Sequence, residues 1–265
     1  MKLTKRLIAV CSLFIFSQIP AFGFDVPAGI DHGSYDRLLK KYVNGEGLVA
    51  YEKWKANAGD RKALDDYVAQ IGQKGAAASG NERAASLINA YNSFVLQWIL
   101  QNYPTESIWA LKGSFKSKRH KVGGESVSLD DIENTALRPE FGYRTHATLV
   151  CAARSCPPLQ TSAYTAGQLD EQVARAYRTW LGRADLNEFS PEKNQASISM
   201  IFKWFKADFE RGGGFKTVIA KYGPASAQAV MKKSDANIDY KTYNWGLNDQ
   251  GPHGRNWKQS IFDYF

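Results

Sequence analysis

Hydrophobic positions along this chain recur mostly at helical spacing. After Ser34, the residues Tyr35, Leu38, Leu39 and Tyr42 fall on one helix face, and after Asp60 so do Leu64, Tyr67, Val68 and Ile71, with each polar residue placed to cap its helix. The strongest pattern follows Asn81 and runs to Tyr103, where Pro104 forbids continuation. Within it Leu87, Ile88, Tyr91, Phe94, Val95, Trp98, Ile99 and Leu100 cover more than one stripe, as expected of a helix buried on most sides. Ala166–Leu181 predicts a second long helix, amphipathic, with Leu169, Val173, Ala176, Tyr177 and Trp180 on one face.

Strand signals are fewer. Val122 and Val127 flank Gly123-Gly124, a dipeptide that accepts the positive φ of a tight hairpin turn. Ser128-Leu129-Asp130-Asp131 fits a capping box opening a short helix through Ile132 and Leu137 to Arg138. Thr145–Ala152, rich in Thr, Val and Leu, predicts a strand that ends before Pro157-Pro158, and Ile198–Ile201 a second. Phe202–Phe209 reads as a helical turn or two, Phe215–Tyr222 as a helix, and Gly246–Phe265 as loop. The sum is α+β, a helix-rich single domain with a small, mostly antiparallel sheet.

The N-terminus changes this picture. Lys2, Lys5 and Arg6 precede an apolar run, Leu7–Phe16, that is shorter than the roughly 18–20 residues of a bilayer span; Ala21-Phe22-Gly23 then supplies a small-x-small cleavage pattern. Met1–Gly23 is therefore expected to be a signal peptide and residues 24–265 the single exported domain, periplasmic or secreted, with no transmembrane span after cleavage. Cys11 lies inside the apolar run without a lipobox after it. The formal net charge is +8, but the basic residues are scattered. Their densest group, from Lys112 to Lys121, sits in a Gly/Ser-containing stretch that reads as a solvated loop or as an anion patch. No nucleic-acid recognition motif accompanies it, so nucleic acid is not an expected partner.

Two groups of residues could carry chemistry. Asn89 and Asn92, three apart, share one face of the buried-looking helix, where an unpartnered amide is costly. They either tie neighbouring loops through backbone hydrogen bonds or line a cleft and orient a ligand. The second group is Arg144, His146, Cys151, Arg154 and Cys156. A thiol becomes a nucleophile where cationic neighbours favour its thiolate, and a histidine in reach can act as its base. Cys156, in a turn beside Arg154, is the better nucleophile; Cys151 reads as a small hydrophobe at a strand end. On a straight strand His146 and Cys151 would face opposite ways. In an oxidising compartment the same cysteines could instead form a structural Cys151–Cys156 disulfide. Three ligands without CxxC or HxxxH spacing argue against a metal site, and no cofactor is implied. Glu133 and Asp208 are carboxylates that could orient an imidazole, or else ordinary helix-cap charges.

At these residues the chain resembles the family called domain of unknown function 547. The resemblance rests on Leu87–Asn92 (LINAYN), Ser128–Glu133 (SLDDIE) with Leu137-Arg138, Arg144-Thr145-His146, Val150–Leu159 (VCAARSCPPL) and Phe202–Phe209 (FKWFKADF). It covers roughly Asp36 to Asn248 and implies that Asn89, Asn92, Glu133, His146, Cys151 and Cys156 belong to a recurring pattern; it implies no activity.

The leading functional expectation is a thiol-dependent hydrolase or acyl transferase. Cys156 would be its nucleophile, His146 its base, and Glu133 or Asn89 the group orienting the imidazole. Asn89, Asn92, Arg144 and Arg154 would bind an unidentified small-molecule or peptide ligand. The alternatives are a non-catalytic envelope binding or scaffold protein with a structural Cys151–Cys156 disulfide, and a thiol–disulfide exchange protein. For the signal segment, Edman sequencing of protein recovered from the cell envelope should read Phe24 first; intact Met1–Gly23 on most molecules would contradict it.

Overall fold

Helix α4, Gly80–Asn102, is buried without a break from Ala85 to Leu96, so the rest of the fold is built around it. The computed structural model describes residues 23–255 and 257; the expected signal segment lies, but for Gly23, outside the described residues. Ahead of α4 come α1 (Gly33–Tyr42), α2 (Tyr51–Ala56) and α3 (Ala58–Ile71). Their buried faces are the expected ones, Tyr35, Leu38, Leu39 and Tyr42 on α1 and Leu64, Tyr67 and Ile71 on α3. The α3 cap is Asn57, whose side chain accepts from the Asp60 N–H, rather than Asp60 itself.

After α4 the chain forms the hairpin β1 (His120–Val122) and β2 (Glu125–Val127). Gly123 turns it at φ 58° with the Asp25 carbonyl 2.0 Å from where a Cβ would stand, so no other residue fits. The capping box is present: Ser128 Oγ accepts from the Asp131 N–H at 3.0 Å and Asp131 Oδ2 from the Ser128 N–H at 2.8 Å. What it opens is a π-helix, Asp131–Leu137, running into α5 (Arg138–Phe141).

The expected strand Thr145–Ala152 does not form. Gly142–Ala147 is a 3₁₀ helix, and the chain then runs on unpaired with any strand. The physical reason is that its backbone is already satisfied. The Asn92 carboxamide donates to the Thr148 carbonyl at 2.9 Å and accepts from the Val150 N–H at 2.9 Å, the groups a partner strand would have used.

The second half contains α6 (Leu169–Leu181), β3 (Glu188–Ser190), β4 (Gln195–Ile198), α7 (Ile201–Trp204), α8 (Lys206–Arg211), α9 (Phe215–Tyr222), α10 (Ala225–Met231) and β5 (Asn237–Tyr240). The face of α6 that packs inward carries the five expected residues. β4 is the central strand of three, antiparallel to β3 and parallel to β5. The architecture is thus α+β and helix-rich, with two small, mostly antiparallel sheets. Among the described residues no helix is long and apolar enough to cross a membrane.

Asn89 and Asn92 are both buried. Asn89 repeats its neighbour's arrangement, donating to the Tyr164 carbonyl at 2.8 Å and accepting from the Tyr164 N–H at 2.9 Å. Replacing Asn89 with Leu improves helix propensity but strands two buried backbone groups. The expected loss is about 2–4 kcal/mol, since each stranded group costs about 1–3 kcal/mol. Thermal unfolding should therefore show a Tm lower by roughly 5–10 °C, and an unchanged Tm would mean that the clamp contributes nothing.

Candidate functional site

A loop that doubles back sets the two cysteines side by side. Between them Ala152, buried and with a side chain, adopts φ 60°, a left-handed conformation that costs about 1 kcal/mol or more and persists only where the surroundings impose it. Here the segment after Tyr243 imposes it. The Asn248 N–H donates to the Ala152 carbonyl at 2.9 Å, Arg154 N–H to Gly246 O at 2.8 Å and Ser155 N–H to Asn244 O at 3.1 Å. On the other side Gly47, φ 77°, lies so close to Pro158 that an added Cβ would stand 2.6 Å from its Cα. The loop is gripped from both flanks.

The result is a pair of thiols in contact. Cys151 Sγ and Cys156 Sγ are 2.6 Å apart and unbridged, so the expected disulfide is not formed in this structure and both cysteines are free. Cys156 is buried and Cys151 half-buried. Two donors converge on Cys156: the Tyr243 hydroxyl at 3.2 Å and the Cys151 N–H at 3.3 Å. Burial pushes the tyrosine's pKa far up, so its hydroxyl keeps its proton. Burial of Cys156 opposes its charge, but hydrogen bonds from the Cys151 thiol, Tyr243 and backbone N–H groups outweigh that and hold it below the ordinary thiol range. Cys151 is pushed the other way, by its hydrogen bond to Cys156 and by burial. The pair is therefore asymmetric: of the two sulfurs, Cys156 is the one on which a thiolate is favoured.

Both sulfurs open on a cavity of about 380 Å³ that is also lined by His146, Glu133, Tyr91 and Tyr243. His146 reaches it because its segment is helical; the opposite-face geometry of a strand does not apply. Its Nε2 lies 2.7 Å from Asp208 Oδ2, and its ring stacks on Phe205 with centroids 4.1 Å apart. Asp208 is buried, yet hydrogen bonds from His146 and Arg138 carry its pKa far below the usual carboxylate range, and Arg211 adds a third contact at 2.6 Å. Burial lowers the His146 pKa despite that carboxylate. A neutral imidazole beside an ionised Asp must carry its proton on Nε2, which leaves Nδ1 as the basic nitrogen. Among the described residues no hydrogen bond joins His146 to either sulfur.

Glu133 is placed by the π-helix, a feature common at functional sites. Its Oε2 accepts from the Tyr91 hydroxyl at 3.3 Å, and it does not bond the imidazole; the carboxylate that does is Asp208. Burial raises the Glu133 pKa to about 7, against the opposing pull of Arg138 and Tyr91. A carboxyl raised this far can take up and release a proton near neutral pH.

The residues expected to bind a ligand stand elsewhere. Asn89 and Asn92 are spent on backbone clamps and do not line the cavity, because the polypeptide itself occupies their hydrogen-bonding capacity. Arg144 pairs with Asp170 on α6, and Arg154 donates to the carbonyls of Asp249 at 2.9 Å and His253 at 3.3 Å; neither touches the sulfurs. Tyr91 and Tyr243 were not singled out from the sequence. Tyr91 sits inside the LINAYN segment, a usable signal; Tyr243 carries none, being delivered by a loop 87 residues beyond Cys156.

A helix-rich α+β domain with a clamped, unbridged cysteine pair beneath a cavity is the class that fold and site define. Residues 76–181 match the model of the family described as "Protein of unknown function, DUF547". The match takes in α4, the hairpin, the π-helix, the cysteine loop and α6, and stops short of Asp208 and Tyr243. No curated protein and no solved structure matches the chain.

The raised Glu133 pKa makes a stability forecast. Between the ordinary carboxyl value of 4.5 and about 7 the folded protein holds a proton that the unfolded chain has released. The folded state thus loses stability as pH rises through that window, by an amount on the order of 3 kcal/mol. Glu133→Gln has no such group, so its Tm relative to wild type should rise between pH 5 and pH 8. A Tm difference that stays constant across that range would show that Glu133 is not raised.

Proposed function

We propose that this chain is an exported thiol–disulfide exchange protein whose redox centre is the Cys151/Cys156 pair. The observation that carries the reading is the contact of the two sulfurs at the wall of one cavity, with the Tyr243 hydroxyl nearer to Cys156 (3.2 Å) than to Cys151 (3.9 Å) and the Cys151 N–H also on Cys156. In the reducing direction, the Cys156 thiolate attacks one sulfur of a substrate disulfide. That S–S bond breaks, the departing sulfur leaves with the electron pair, and a mixed disulfide forms on Cys156. The Cys151 thiol then gives its proton to the Glu133 carboxylate and attacks Cys156 Sγ, which expels the second substrate sulfur. The two substrate thiolates take up two protons, one of them returned by Glu133. Two electrons pass from the dithiol to the substrate, leaving a Cys151–Cys156 disulfide that another dithiol can reduce.

A second reading, a thiol-dependent hydrolase or acyl transferase, is favoured by the His146–Asp208 pair on the same cavity, since a neutral imidazole held at Nε2 offers Nδ1 as a base. Redox titration of the purified protein in glutathione buffers, with alkylation and mass spectrometry, separates the two. Exchange predicts reversible loss of two hydrogens from the Cys151/Cys156 peptide, at a potential between about −300 and −120 mV. A pair that stays reduced throughout, together with an acyl adduct on Cys156 that His146→Ala abolishes, would replace exchange by hydrolysis. A bridge that no thiol buffer reduces would leave a structural disulfide and a binding protein.

A further inference from the structure

The large hydrophobic side chains left exposed among the described residues are Trp109 and Trp204, at 41% and 37%, and both stand on the cavity of the cysteine pair. Exposed apolar groups gathered at one mouth mark a place where something binds. These two are not isolated. Trp245 joins them, edge-on to Trp109 with centroids 5.3 Å apart and stacked with Trp204 at 5.8 Å. Tyr243 lies 4.4 Å from Trp245 and 4.8 Å from Trp204, ring to ring, and its hydroxyl is on Cys156. An unbroken wall of aromatic rings therefore leads from the sulfur to the protein surface. Each ring is braced by its neighbours, so little rotamer freedom is lost when a ligand lies against it.

The size of the cavity limits what can enter. About 380 Å³ is near the lower end for ligand sites, enough for a disulfide and one large side chain, not for a folded element. Cys156 is buried, so a substrate sulfur must reach inward on a protruding, flexible segment. The outer faces of Trp109 and Trp204 then extend the contact beyond the volume a small disulfide would fill, which suits a polypeptide.

We infer that the substrates are polypeptide disulfides whose cysteine is flanked by an aromatic residue, with that ring packed against the wall of Trp109, Trp204 and Trp245 as the sulfur meets Cys156. The inference rests on the exchange reading above. The test uses the reduced protein and four disulfides that release the same chromophoric thiol. Three are unstructured peptides identical except for Phe, Ser or Lys beside the cysteine; the fourth carries 2-mercaptoethanol in place of a peptide. The Phe peptide should exceed the Ser peptide in the second-order rate constant for its single reaction with the reduced protein by about tenfold or more, the ratio expected for sequestering one aromatic ring. In Trp109→Ser and Trp204→Ser, checked for folding by Tm, that ratio should fall toward one. If the small disulfide reacts but the Phe and Ser peptides do not differ, or no peptide reacts, the polypeptide inference is overturned and exchange stands. If all four fail, the exchange reading itself is wrong.

Discussion

Two carboxamides on the central helix hold the cysteine loop in register with everything around it. Asn92 fastens the chain just before the loop, at Thr148 and Val150, and Asn89 fastens it just after, at Tyr164. Each amide satisfies a buried backbone N–H and C=O that no sheet partner reaches, so the segment between can be irregular without stranding polar groups. Because α4 is buried on nearly every side, these anchors do not move independently of the core. A strand in place of the irregular segment would set His146 and Cys151 on opposite faces. The clamp instead permits the helical turn that puts both on one cavity.

The segment Tyr243–Gly254 completes the grip from the other side. It supplies a hydroxyl to Cys156 and backbone partners to Ala152, Arg154 and Ser155. It is tied in turn to α2 and to the end of α4: Tyr51 donates to Asn248 Oδ1 at 2.9 Å and Tyr103 to Asp249 Oδ2 at 3.0 Å. The strained left-handed Ala152 is a consequence of these two sets of contacts meeting within a few residues. The site is therefore assembled from both ends of the described chain on a middle portion that the family match defines.

The electrostatics divide the cavity wall into two parts. Around Asp208 two arginines and a histidine surround one buried carboxylate, a network that fixes the imidazole tautomer, while burial holds the His146 pKa down. At Cys156 the hydrogen bonds that favour the thiolate come from a phenol, a thiol and backbone N–H groups. Arg144 and Arg154, adjacent to the reactive residues in sequence, are engaged elsewhere. Thiolate stabilisation at Cys156 is thus a matter of neutral hydrogen bonds rather than of basic neighbours, and the proton-accepting group nearest neutral pH is Glu133, bonded to Tyr91.

The periodicity of the apolar residues by itself determined the long helices α1, α3, α4, α6 and α9, the hairpin at Gly123-Gly124 and the Ser128 capping box, because each depends on interactions within a few positions. The residues of the site were also legible: Glu133, His146, Cys151 and Cys156 stand together on one cavity, and Asp208 was among the carboxylates considered. Their relations were not. Whether Thr145–Ala152 pairs as a strand depends on an amide from 58 residues away. Asp208 meets His146 across 62 positions and Tyr243 meets Cys156 across 87. Short elements such as α2, α10, β3 and β5 lack enough turns or pairs for a period to register, and tertiary packing alone stabilises them. Local spacing decides which segments become helices. Which side chain satisfies which buried polar group, and hence which thiol is the more readily ionised, is decided only when distant segments close around α4.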